Sequence, residues 1–175
     1  MSMSVLSANF RRDLEIRRYP FLVYLLVPLA SLVLQAWLPR VAGSFSWFDL
    51  PLIITVYFAL ARRSPVHGTM LGAIIGLFED ALSHRAIGVN GVAKTIVGFI
   101  AASVGIRIDV ENQIIRLLIT FLLSLLSSAI CIFVYRVLLG LEYQWQWSTE
   151  LFIAIGNAVL AVVFFPLLDR MGTKE

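Results

Sequence analysis

The chain has 175 residues, 59% of them hydrophobic and only 14% charged, against about a quarter charged in an average soluble domain. The apolar excess lies in long runs, which excludes a soluble domain and predicts an all-α integral membrane protein with short loops. The net charge of +3 does not point to nucleic acid, because the basic residues sit at span ends, where they orient the protein and meet anionic lipid.

Residues 1–20 form a basic leader carrying Arg11, Arg12, Arg17 and Arg18. Phe10 and Leu14 would give it an apolar face, but two acids dilute that pattern, so it reads as a basic flank that fixes orientation. Six apolar segments follow, about Phe21–Leu38, Trp47–Ala61, Gly68–Leu82, Gly91–Ile106, Ile114–Leu139 and Thr149–Leu168. They define a membrane domain over 21–168 and a short tail over 169–175. The first segment has too long an apolar core for a cleaved signal peptide and reads as a retained span. A span needs about 20 residues; the first, fifth and sixth segments reach that and the middle three fall short. Segments three and four are therefore either full spans or a re-entrant pair buried among the others. Six spans is the preferred reading.

Charge placement sets the orientation. With six spans, Arg62, Arg63, Arg107, Arg170 and Lys174 share a side with the leader. Arg40 and Arg85 lie on the other, and Arg136 falls near the end of segment five. That bias predicts that both termini lie in the cytoplasm. Trp37, Trp47, Tyr143, Trp145 and Trp147 gather at the outer ends, where amphipathic rings prefer the headgroup layer. Asp49 followed by Pro51 reads as an N-cap with proline in the first turn. Pro65 marks the turn into segment three.

The third and fourth segments enclose GLFEDALSHRAIGVNGVAK, which holds Glu79, Asp80, His84, Arg85 and Lys94. Gly68, Gly72 and Gly76 make two overlapping GxxxG units, and Asp80 follows at the same step. Gly91, Lys94, Gly98, Ala101 and Gly105 form a second stripe at helical spacing. Small residues let helices approach closely in lipid, where the hydrophobic effect does not draw them together. Two glycine-faced helices, one with acids and one with a lysine, predict an ion pair, with Asp80 as the first partner for Lys94 and Glu79 the second. Glu79, His84 and Arg85 otherwise read as the wet end of a span. The spacing leaves open whether each stripe packs within the chain or against another protein.

Segment five carries Ser124, Ser127, Ser128 and Cys131 between Arg116 and Arg136. Segment six carries Gly156, Asn157 and Pro166, with Asn157 placed for an interhelical hydrogen bond. A single cysteine excludes an intrachain disulfide and a cysteine-based metal site. Neither histidine forms an HExxH pair, and no phosphate loop or dinucleotide fingerprint occurs. Glu79 and Asp80 are adjacent, so on a helix they point about 100° apart and make no carboxylate dyad. The sequence therefore offers no catalytic, cofactor or metal residues.

The stretch AIIGLFEDALSHRAIGVNGVAKTIVGFIA, with Gly76, Asp80, Gly88 and Gly98, is similar to the signature of MreD, the bacterial rod shape-determining membrane protein family. SWFDLPLIITVYFAL resembles that family's Pro-Asp-Leu start of span two, with Trp and Phe ahead of Asp49. The final span, with Asn157 and Pro166 before a charged tail, also fits. Lys94 and the Glu79–Asp80 pair are not features of that signature. The resemblance implies a six-helix bundle like the substrate-binding component of vitamin-uptake (ECF) transporters. It also implies a non-enzymatic role in cell elongation, with MreC as direct partner. The MreB filament, the RodA glycosyltransferase and a class B transpeptidase would be associated. On this reading Gly68, Gly72, Gly76, Asp80, Gly88, Gly91, Lys94, Gly98 and Asn157 serve helix packing or partner binding. Gly72→Leu or Gly76→Leu would then release an MreC-like partner from a protein that still inserts. The alternative is a small-molecule binder or transporter with the polar centre lining a pocket.

Overall fold

The computed structural model describes residues 19–41, 47–83, 86–108, 110, 112–141 and 146–172. The leader up to residue 18, His84, Arg85, Tyr143, Trp145 and Lys174 lie outside the described residues. Among those described, six helices follow one another: α1 (Phe21–Val41), α2 (Leu50–Arg62), α3 (Pro65–Ser83), α4 (Val89–Arg107), α5 (Gln113–Phe133, continuing as a π-helical turn over Val134–Leu138) and α6 (Trp147–Asp169). Four of them, α1, α4, α5 and α6, are long and apolar enough to cross a membrane by length and composition. The chain is an all-helical, multi-pass membrane protein with several apolar spans.

The middle segments are not broken. Helices α3 and α4 have 19 residues each, roughly 28 Å at 1.5 Å per residue, close to a hydrocarbon core of about 30 Å. Apolarity understated them because each begins before its apolar run, α3 at Pro65 and α4 at Val89.

Helix α2 is the short one. Its 13 residues span roughly 20 Å, yet it touches each of the other five helices. Every residue from Pro51 to Leu60 is buried, as expected for a helix apolar on all sides. Around it α1 meets α3, α3 meets α4, α4 meets α5 and α5 meets α6. Leu52, Ile53, Val56, Phe58, Val97, Ala101 and Phe165 fill the space between. A helix sheathed along its length in this way need not match the membrane thickness, because the other five helices cover its sides.

The outward faces are apolar. Leu25, Leu29 and Val33 on α1, Met70, Ile74 and Phe78 on α3, and Phe152, Val159 and Val163 on α6 are all exposed. Helix α1 is the least enclosed, with Pro28, Ser31 and Leu32 the buried residues among its described side chains.

Candidate functional site

The two glycine stripes meet each other. A Cβ on Gly68 or Gly98 would collide with the other's backbone carbonyl, one on Gly72 with the Lys94 carbonyl, and one on Gly76 with the Asn90 carbonyl. The partner of the α3 stripe is thus α4 of the same chain, running backbone to backbone over about two and a half helical turns. Gly91 takes the Leu77 side chain, and Gly105 approaches the Leu60 carbonyl of α2.

Asp80 does not pair with Lys94. Its Oδ2 accepts from the backbone N–H of Gly88 (2.8 Å) and Gly91 (3.1 Å), and its Oδ1 from the Asn90 N–H (3.2 Å) and Nδ2 (2.9 Å). Helix α4 opens at Gly88, whose φ of 103° is left-handed and favours glycine, and which has no side chain to cap with. Asp80 supplies the missing cap from the neighbouring helix, a fully buried carboxylate set on the positive end of a helix. Asp80→Ala should leave these donors unmet and cost about 3 kcal/mol. Faster amide exchange at Gly88–Gly91 than in the parent protein would register it; unchanged exchange would contradict the capping role.

Lys94 instead takes Asp49 and Glu79. Its fully buried Nζ lies 2.8 Å from Asp49 Oδ2 and 2.7 Å from Glu79 Oε2. The contact with Asp49 is an aligned hydrogen bond, whereas that with Glu79 is a more oblique ion contact. Adjacent carboxylates diverge on a helix, so α3 turns Glu79 toward the lysine when it turns Asp80 toward the α4 terminus. Glu79 is consequently buried rather than marking the wet end of α3.

Asp49 is the hub. Its Oδ1 accepts from Leu52 N–H (2.8 Å), the expected N-cap with Pro51 in the first turn. Its own N–H donates to Asn157 Oδ1 (2.9 Å), and Asn157 Nδ2 donates to Ser124 Oγ (2.9 Å). Gln35 of α1 donates from Nε2 to the Phe48 carbonyl (2.8 Å) and accepts from Leu50 N–H (3.1 Å). Cys131 Sγ lies 3.7 Å from Asn90 Oδ1. Every helix therefore contributes a polar group to this end of the bundle. Gln35 and the role of Asp49 beyond capping were missed from the sequence. The signal for Asp49 was present, since an aspartate beside a lysine-bearing span needs a counter-charge.

A second cluster, also missed, closes the opposite end. Arg116 Nη1 pairs with Asp169 Oδ2 at 2.7 Å, and its Nε donates to the Val110 carbonyl. Tyr57 Oη donates to Asp169 Oδ1 (2.8 Å) and shares a hydrogen bond with Tyr19 Oη (2.6 Å). Helix α6 thus extends to a residue that the sequence assigned to the tail.

Among the described residues no group of three His, Cys, Asp or Glu side chains is placed to hold a metal ion. What the arrangement does is structural: it lets charged groups sit inside a thin helical bundle and locks the helices that carry them. No curated protein and no solved structure matches the chain. The family model for the rod shape-determining protein MreD matches residues 15–171. The chain belongs to the MreD family, multi-pass inner-membrane proteins of the bacterial rod-shape and elongation machinery.

Proposed function

We propose that this protein is a non-enzymatic, six-span scaffold, with both termini cytoplasmic, that holds an MreC-like partner beside the synthases of lateral wall growth. The MreB filament, the RodA glycosyltransferase and a class B transpeptidase belong to the same assembly on this reading. The six-helix bundle is of the kind found in the substrate-binding component of vitamin-uptake transporters. One observation carries the scaffold reading: the polar and small residues of α3 and α4 are consumed in holding the bundle together. Partners then meet the outward helix faces, and α1 offers the widest. The small-molecule alternative has less support, because neighbouring backbone fills the space beside the glycine stripes.

The test is capture of an MreC-like partner from native membranes by the tagged protein. Leu25→Ala with Leu29→Ala, both exposed on α1, should lower capture several-fold and leave thermal stability within about 0.5 kcal/mol. Failure of the parent protein to capture such a partner would sink the proposal. Capture that survives changes on every outward face would sink the docking mode alone.

A further inference from the structure

We infer that Arg62, held on the ring of Tyr24, is a docking point for the phosphate of an anionic phospholipid. It lies at the end of α2 opposite the Asp49–Lys94 cluster. The inference rests on the multi-pass character of the chain and not on the scaffold reading.

Arg62 is the last residue of α2, and its guanidinium carbon sits 5.3 Å from the centroid of the Tyr24 ring. That ring is fixed by packing. It lies 4.8 Å from Phe58 and meets Tyr19 edge-on at 5.8 Å, centroid to centroid. Its hydroxyl is shut off from solvent with no hydrogen-bond partner, so aromatic contact alone sets the platform. Stacking uses the flat face of a guanidinium and leaves its in-plane N–H donors for an acceptor.

Those donors are uncommitted. No carboxylate among the described residues pairs with Arg62, and no hydrogen bond from its side chain is present. Asp169, the acid described at this end, is spent on Arg116 and Tyr57. The surroundings suit a lipid rather than a soluble anion. Phe21 and Leu25 of α1, nearest to Tyr24 around the helix, are exposed, offering an apolar wall for acyl chains below the headgroup. A phosphodiester accepts two parallel N–H bonds from a guanidinium. Because the ring already orders the arginine, less side-chain entropy is lost on binding than at a free surface arginine such as Arg107 or Arg170.

The experiment uses the purified full chain in neutral detergent, with phosphatidylglycerol, phosphatidylcholine or inorganic phosphate added, and reads the shift in melting temperature. Phosphatidylglycerol should raise it while the other two leave it unchanged. Arg62→Gln should remove most of that shift with the lipid-free melting temperature preserved, and Tyr24→Leu should reduce it. Arg107→Gln should keep it. An equal shift with phosphatidylcholine would overturn the site, since that headgroup has the same phosphodiester but no net charge. So would a shift reproduced by inorganic phosphate, or one retained in both Arg62→Gln and Tyr24→Leu. Native mass spectrometry of retained phosphatidylglycerol gives the same comparison without relying on melting. There the parent protein should carry more lipid than Arg62→Gln, and equal retention would overturn the site.

Discussion

Gly72→Leu is expected to stop α3 and α4 from closing on each other, and with that to prevent the bundle from folding. Even a Cβ at this position overlaps the Lys94 carbonyl, and backbone in the middle of a helix cannot move aside as a side-chain tip can. Gly72→Ala should therefore already cost about 1–3 kcal/mol, and the larger side chain more. Separating the helices would also withdraw Glu79 from Lys94 and Asp80 from the α4 terminus. Size-exclusion chromatography in mild detergent should show the leucine variant aggregated or degraded, with Ile74→Ala on the outward face of α3 behaving like the parent. A monodisperse Gly72→Leu protein with parental melting would refute the close approach. The consequence for partner binding is direct. Loss of a partner in this variant would report a collapsed bundle and not a removed docking surface, so the glycines cannot serve as a selective probe of docking.

Lys94→Met is the second large effect. Methionine keeps much of the volume but leaves Asp49 and Glu79 facing one another without a cation. Removing one member of a buried ion cluster costs about 3–5 kcal/mol, mainly through the charge left behind. Neutralising the acids should restore most of it, because an apolar or neutral replacement of a whole buried pair is often close to neutral. Lys94→Met with Glu79→Gln should be intermediate. Adding Asp49→Asn, whose side-chain oxygen still caps Leu52, should approach parental stability. Equilibrium unfolding in detergent would measure the series. If Lys94→Met alone unfolds like the parent, the cluster does not stabilise the bundle.

Much of the fold was legible because long apolar runs speak for themselves in a membrane protein. The glycine stripes told of close packing, since only small residues at helical spacing permit it. Their partner was not legible, because spacing describes one face and not what lies opposite. The Lys94 pairing shows the same limit. Asp80 shares the glycine face, but the competing claim of the α4 N-terminus depends on the turn at Gly88 bringing three backbone N–H groups back to it. The lysine was left to Glu79 and to Asp49, 45 residues upstream. The Tyr19–Tyr57–Asp169–Arg116 cluster was hidden for another reason: its members come from four separate segments, and none forms a motif with its neighbours.

The short central helix has a consequence for how the protein is made. Helix α2 leaves the ribosome before the chain that satisfies it. Asp49 waits for Lys94 and Asn157, Tyr57 for Asp169, and about 20 Å of helix is a poor span by itself. Lys94 arrives with α4, but until α6 is synthesised the Asp49 N–H and the Tyr57 hydroxyl lack Asn157 and Asp169. Closure of the bundle around α2 is then timed by the last helix, and chains cut short before Asn157 should be cleaved by protease faster than the full chain.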